Sequence, residues 1–163
     1  MVFWMDASDR KRLYEYERKL DRLLNTTPKS FEDIKMIEDT GVYAISRKGI
    51  KKPIYYIGET GRGVKVRMTE LTSDYRSHTL NRKVLLEILK DEWKWEIGKM
   101  KKKEIYEKVE RLNDKAKQRL QDKVNKRINN RFEVRFIPIT ENKKSIRSFE
   151  HFAIAIEKPE LND

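Results

Sequence analysis

The 163-residue sequence contains no cysteine and only two histidines. Without cysteine, neither a disulfide framework nor a thiolate zinc site can form, and two histidines are too few for a histidine-rich metal site. The N-terminal residues meet an acidic side chain already at Asp6, and no stretch of the sequence is long and apolar enough to span a membrane. We therefore expect a cytoplasmic protein without a signal peptide or a membrane partner.

Positive charge is what the sequence has in excess. It carries 38 Lys and Arg against 27 Asp and Glu, a formal net charge of +11. Clustered cations bind phosphates by releasing condensed counterions, so this excess favours a nucleic acid as the partner. The alternative is a highly charged protein whose Lys and Glu side chains only solvate it. The length is that of one ordinary domain, and a hydrophobic fraction of 37% suffices for one modest core.

The first 40 residues are predicted to form a helical brace. Ser8 is the predicted start of a helix whose leucines recur at helical spacing, and the stretch 25–28 ends it with a proline. Ser30 is three residues before Asp33 and is predicted to cap a second, short helix.

The hydrophobic pattern changes at Gly41, where β-branched and aromatic residues become frequent. The elements predicted from there on are strands at 41–45, 54–57 and 132–136, and helices at 64–71, from 77 onward and at 145–156. The sequence thus predicts an α+β fold, with a small three-stranded sheet flanked by helices over residues 41–163.

A highly charged segment at about 92–131 is predicted to be inserted into this domain. Its apolar residues recur at gaps of three and four, which is the pattern of one apolar stripe on a solvated helix. About thirty such residues would reach ~45 Å at ~1.5 Å per residue, longer than a small domain is wide. The segment is therefore either one projecting helix or two antiparallel helices.

Two tripeptides on the predicted hairpin carry a family resemblance. Gly41-Val42-Tyr43 is followed, after twelve residues, by Tyr56-Ile57-Gly58. Arg67 comes on the next predicted helix, Glu150 on a later one, and the sequence finishes on a Pro-x-x-Asn pattern that ends at Asn162. In this order and on these elements, the residues resemble the signature of the GIY-YIG nucleases.

The resemblance implies a divalent-metal-dependent endonuclease that acts most often on DNA. Glu150 is then the ligand of a single Mg²⁺ or Mn²⁺, and Arg67 binds the scissile phosphate. Tyr43 orients or deprotonates the attacking water, with Tyr56 in support. The alternative is that both tyrosines only pack in the core. These residue types suit the chemistry, because phosphodiester hydrolysis needs an activated water and a stabiliser of phosphoryl charge. A carboxylate is also the hard oxygen ligand that Mg²⁺ prefers.

Other candidates have two interpretations each. Arg62 competes with Arg67 for the scissile phosphate or holds a neighbouring one, and Lys65 is a further candidate contact to nucleic acid. His78 is either catalytic, as in some relatives, or only a neighbour of a helix cap. Asn162 either hydrogen-bonds near the metal or DNA, or closes the C-terminal segment.

The charged segment carries a compact basic cluster of Lys99, Lys101, Lys102 and Lys103. One hypothesis is that this charged segment binds along the nucleic-acid backbone outside the active site. The other is that it associates with a second copy of the chain or with a partner protein.

The alternative function for the whole chain is a nucleic-acid-binding module that keeps the nuclease fold without turnover. The presence of Tyr43, Arg67 and Glu150 together argues against that alternative.

Overall fold

The computed structural model describes residues 5–162 of the chain. Their contacts separate two compact units. We call residues 5–67 together with 132–162 the sheet unit, and residues 68–131 the helical unit. The helical unit thus starts earlier than the charged segment predicted at about 92–131. Of the predicted brace at 1–40, residues 5–40 fall within the sheet unit, and residues 1–4 lie outside the described residues.

The sheet unit is built on a three-stranded antiparallel sheet, which confirms the predicted α+β class. Its strands are β1 (Gly41–Arg47), β2 (Tyr56–Thr60) and β3 (Phe132–Pro138), in the order β2-β1-β3. In this register Tyr43 of β1 lies between Gly58 of β2 and Phe136 of β3. Residues directly opposite each other in a sheet share a face, so these three positions lie on the same side.

Two helices pack on the opposite face of the sheet. They are α1 (Ala7–Asn25) and α7 (Lys143–Glu157), and they form one apolar core with the strands. Successive residues of a strand point to opposite faces, so Ala44 enters this core while Tyr43 points away from it. Phe149 of α7 is fully buried there. Helix α1 therefore packs against the sheet. The role of the N-terminal residues as a brace stays a prediction.

The short helix α2 (Phe31–Ile34) follows α1 in the chain. The hydroxyl of Ser30 accepts a hydrogen bond from the backbone N–H of Asp33 at 3.0 Å, which confirms the predicted cap. Both apolar residues of this helix, Phe31 and Ile34, are fully buried.

Two helices start before the predicted residues, Ser8 and Ser145, because each is capped earlier in the sequence. The first helix is capped by Asp6, whose carboxylate accepts from the N–H of Asp9 at 2.8 Å, whereas Ser8 lies within the first turn. The last helix is capped by Asn142, which accepts from the N–H of Ser145 at 3.0 Å. In both helices a second polar residue follows within the first turn, and the earlier residue takes the capping role.

The helical unit contains the charged segment. The third helix, α3 (Val64–Ser73), passes from the sheet unit into it, and its other elements are α4 (Thr79–Asp91), a 3₁₀ turn (Ile97–Lys99), α5 (Lys102–Glu110) and α6 (Asp114–Arg131). The segment therefore forms two helices and not one. Asn113 separates them, because its side chain accepts from the N–H of Ala116 at 2.9 Å and so starts α6.

Over residues 5–162, no helix has the length and apolar character needed to cross a membrane.

The last residues of the chain complete the edge of the sheet at β2. The N–H of Leu161 donates to the carbonyl of Tyr55 at 2.9 Å. The Asn162 side chain accepts from the N–H of Ile57 at 2.8 Å and donates to its carbonyl at 2.7 Å. An edge strand leaves such backbone groups without a strand partner, and Asn162 supplies one. Of its two interpretations, the structure favours closure of the C-terminal segment.

Asn162→Ala is expected to lower the free energy of unfolding by about 1–3 kcal/mol, because two hydrogen bonds to the backbone of β2 are lost. Urea denaturation followed by circular dichroism measures this change. Asn130→Ala is the matched control, since Asn130 is exposed on α6 and should not lower stability. If both variants were as stable as the unmodified protein, Asn162 would not be a structural residue.

Candidate active site

The position of Tyr43 depends on the missing side chain at Gly58. A Cβ atom built on Gly58 would lie 2.5 Å from the Tyr43 hydroxyl oxygen and 2.6 Å from the adjoining ring carbon. The phenol therefore lies directly against the backbone of β2, and any other residue at position 58 would displace it. The Tyr43 side chain is fully buried as a result.

Tyr56 lies on the same face of the sheet as Tyr43. Their ring centroids are 6.0 Å apart, and Tyr56 is only half-buried. Its neighbour Tyr55 is buried, its hydroxyl accepts from an Arg47 guanidinium nitrogen at 2.7 Å, and its ring centroid lies 5.1 Å from that of Phe132. Of the two adjacent tyrosines, Tyr56 is therefore the more accessible one.

A tight loop between β2 and α3 positions Arg67. The Thr60 hydroxyl donates to the carbonyl of Gly63 at 2.6 Å, and Gly63 has φ +94°, a conformation that favours glycine. The helix starts at the next residue, so Arg67 falls in its first turns. The Arg67 Nε atom donates to the Tyr43 hydroxyl at 3.4 Å. The buried phenol thus orients the guanidinium.

Helix α7 brings Glu150 next to β2. One oxygen of its carboxylate accepts from the backbone N–H of Glu59 at 3.0 Å. Partial burial raises the pKa of Glu150 above its ordinary value, and the nearby Glu59 carboxylate raises it further, whereas the hydrogen bond from the Glu59 N–H lowers it. Phe149, the preceding residue, anchors this part of the helix in the core.

These side chains meet in an open cleft of about 410 Å³ within the sheet unit. Its walls are formed by the end of β2, the loop that follows, Arg67 and the first turns of α7. The lining residues are Tyr56, Glu59, Thr60, Gly61, Arg62, Arg67, Lys143, Arg147 and Glu150. The lining contains four cationic side chains and two carboxylates, so the cleft carries a formal charge of +2. It therefore suits an anion that binds beside a carboxylate.

Tyr43 lies beneath this cleft and not in its lining. Burial raises the pKa of its phenol far above the ordinary value near 10, and the neighbouring Tyr56 acts in the same direction, while Arg67 acts against both. The phenol therefore keeps its proton at neutral pH. Of the two roles that the resemblance implies, deprotonating a water is disfavoured by this environment, whereas orienting other groups is compatible with it.

The carboxylates of the cleft fit a water-rich divalent ion. Within residues 5–162, no three His, Asp or Glu side chains are grouped so that they could hold a metal by themselves. Mg²⁺ needs no such group, because it keeps several waters and takes one or two carboxylates together with phosphate oxygens. Glu150 is placed to be that carboxylate, since Glu59 already forms an ion pair with Arg147 at 3.6 Å.

The remaining predicted residues have separate environments. Arg62 lines the cleft and is exposed, whereas Lys65 forms an ion pair with Glu38 at 2.9 Å and does not line it. His78 belongs to the helical unit, where it is buried and caps α4 by accepting from the N–H of Leu80 at 3.1 Å. Its catalytic role stays a prediction. The lysines predicted to bind nucleic acid, Lys101, Lys102 and Lys103, are exposed in the helical unit.

Three charged residues of the cleft, Glu59, Lys143 and Arg147, were not predicted from the sequence. Two of them, Lys143 and Arg147, precede Glu150 on α7 at helical spacing. They lie on the same face of the helix as Glu150, and this spacing could have predicted them. Glu59 had no such signal. It enters the cleft because β2 ends beside α7, which is a property of the tertiary structure.

No family model, curated protein or solved structure matches the chain. The structure itself shows an α+β fold in which the predicted Tyr56, Arg62, Arg67 and Glu150 line one cleft. The function is therefore inferred from the chemistry of this cleft and from the order of the residues along the sequence.

The raised pKa of Tyr43 predicts a pH dependence of stability. As pH rises above about 10, the unfolded chain loses the phenolic proton while the folded chain keeps it, so folding becomes less favourable. Between pH 9 and 11 the unmodified protein should lose about 1.4 kcal/mol of its free energy of unfolding relative to Tyr43→Phe. Urea denaturation at several pH values measures this difference.

Tyr14→Phe is the matched control for this measurement, because Tyr14 is 60% exposed. A difference between the unmodified protein and Tyr43→Phe that stays constant from pH 9 to 11 would show that the phenol ionises as readily folded as unfolded.

Proposed function

We propose that this chain is a divalent-metal-dependent endonuclease of the GIY-YIG type, which hydrolyses phosphodiester bonds in DNA. The observation that supports this most strongly is that Tyr56, Arg67 and Glu150, distant in the sequence, line one positively charged cleft. A phenol, a planar cation and a carboxylate are the groups that hydrolysis of a phosphodiester uses.

Arg67 is proposed to bind the scissile phosphate. Its guanidinium offers a planar fork of N–H donors that matches two phosphate oxygens, which a lysine cannot do. The hydrogen bond to Tyr43 at 3.4 Å limits the orientations of this side chain. A fixed cation stabilises the charge of the phosphoryl oxygens without reorganising during the reaction. The role proposed for Tyr43 is therefore to position Arg67.

Glu150 is proposed to hold the Mg²⁺ or Mn²⁺ ion. When bound, such an ion supplies an activated water and stabilises charge on the phosphate. The backbone N–H of Glu59 fixes one carboxylate oxygen of Glu150 and leaves the other for the metal. Tyr56 is half-buried in the same cleft, so its hydroxyl is placed to orient the attacking water.

Nucleic acid is the proposed substrate because its charge complements that of the protein. The chain carries a formal net charge of +11, and the cleft itself is positive. The basic cluster of Lys99, Lys101, Lys102 and Lys103 is exposed in the helical unit and is proposed to contact the backbone outside the active site. A role in association with a second copy or a partner protein remains the alternative for this cluster.

Glu150→Gln is expected to lower the rate of DNA cleavage in Mg²⁺ by more than a hundredfold, about 2.7 kcal/mol of barrier. An amide keeps the size of the side chain but removes the charge that holds the metal. DNA binding in EDTA should change little. Glu157→Gln is the matched control, because Glu157 lies on the same helix and pairs with Lys52 away from the cleft lining.

Two outcomes of this assay would count against the proposal. Full activity of Glu150→Gln would show that Glu150 does not hold the metal. Binding of DNA by the unmodified protein without any cleavage in Mg²⁺ or Mn²⁺ would instead support the binding module that keeps the fold without turnover.

Arg67→Ala is expected to lower the cleavage rate far more than Arg62→Ala, although both residues line the cleft. Only Arg67 is held by Tyr43 at the proposed position of the scissile phosphate. Arg67→Lys should restore only part of the rate, since a point charge does not reproduce the planar fork. Cleavage rates at saturating DNA measure all three variants. The opposite ranking of the two alanine variants would assign the scissile phosphate to Arg62.

A further inference from the structure

The stem of Lys143 packs on the loop that follows β2, at Gly61, which has no side chain. A Cβ atom built on Gly61 would lie 3.1 Å, 3.3 Å and 3.4 Å from three carbon atoms of the Lys143 side chain. The glycine thus lets the lysine lie against the loop, and Lys143 belongs to the lining of the cleft. Packing against the loop therefore positions Lys143 there.

The charge of Lys143 is not compensated within the described part of the chain. Arg147, one turn further along α7, forms an ion pair with Glu59 at 3.6 Å. Lys143 forms no ion pair with any of residues 5–162. Under the proposed function, Glu150 holds the metal and Arg67 binds the scissile phosphate. The cation of Lys143, which lines the same cleft as Arg62, is then available to a different anion.

The cleft has room for that anion. Its volume of about 410 Å³ is many times the ~30 Å³ that one water takes in the liquid, and so exceeds the space of a single phosphate group. In a nucleic-acid strand, a second phosphate follows the first after one nucleotide, at a rise of ~3.4 Å along the helix axis. The anion most compatible with a cleft that already holds one phosphate is therefore the next phosphate of the same strand.

We infer that Lys143 and Arg62 form a second phosphate subsite, which binds the phosphate adjacent to the scissile one. The inference rests on the proposed function, because the scissile phosphate defines which phosphate is adjacent. It narrows the substrate class to strands with at least two consecutive phosphodiesters. Lys143 is a positioning residue in this account, since it fixes the register of the strand and touches no reacting atom.

The test measures DNA binding without turnover. A fluorescein-labelled 20-base-pair duplex is titrated with protein in EDTA at several salt concentrations, and the slope of log Kd against log salt is compared between variants. Lys143→Gln removes one phosphate contact and should reduce the slope by about 0.9. Lys144→Gln removes the same charge from an exposed neighbour that does not line the cleft, and it should leave the slope unchanged.

A second pair of variants tests the packing without changing any charge. Gly61→Ala places a methyl group against the stem of Lys143, so it should weaken binding in the same direction as Lys143→Gln. Gly98→Ala is the control, because a Cβ atom there meets nothing within 4 Å. In the cleavage assay with Mg²⁺, Lys143→Gln should raise KM more than it lowers kcat.

The outcomes separate this inference from the proposed function. Equal salt slopes for Lys143→Gln and Lys144→Gln would overturn the subsite, even if the protein cleaves DNA. A reduced slope for Lys143→Gln alone, in a protein that cleaves no DNA, would support the subsite as a phosphate-binding site and overturn the nuclease proposal.

Discussion

The close approach of the Tyr43 phenol to the backbone of Gly58 is the constraint on which the candidate site depends. The ring fits only because position 58 has no side chain. From this position the hydroxyl accepts a hydrogen bond from Arg67, the cation that α3 contributes to the lining of the cleft. A glycine in β2 and a tyrosine in β1 therefore determine where a guanidinium from a separate helix lies. The two tripeptides that carry the family resemblance act in this structure as one packing unit.

A second contact gives the cleft its carboxylate. The hydrogen bond from the Glu59 N–H to Glu150 joins α7 to β2 just beyond Gly58. Because Phe149 anchors the same helix in the core on the other face of the sheet, the position of Glu150 follows from core packing. Cation and carboxylate thus reach the cleft from two different helices, α3 and α7, that follow or adjoin β2.

Most of the fold could be predicted because its local patterns agree with its tertiary structure. Period-two alternation at 132–136 and leucines at helical spacing in α1 identified their elements. The helix caps at Asp6 and Asn142 were missed because several polar residues within a few positions can each serve as a cap, and local sequence does not decide between them. The sequence also did not decide whether the charged segment is broken at Asn113, because the apolar stripe continues across this residue.

The site could be predicted less completely. Arg62, Arg67, Tyr56 and Glu150 were expected together, and the cleft contains all four. The sequence did not decide between core packing and a catalytic role for Tyr43, because the accessibility of a strand residue depends on elements far away in the sequence.

The central claim, that this cleft cuts phosphodiester bonds with the help of a divalent ion, is tested most directly on a covalently closed circular plasmid. Such a substrate has no ends, so an exonuclease cannot attack it, and nicked or linear products require endonucleolytic cleavage. With Mg²⁺ or Mn²⁺, the purified protein should convert the circles into nicked and linear forms, and with EDTA it should leave them intact. Circles that stay closed in the presence of either ion, although the protein binds them, would contradict the claim.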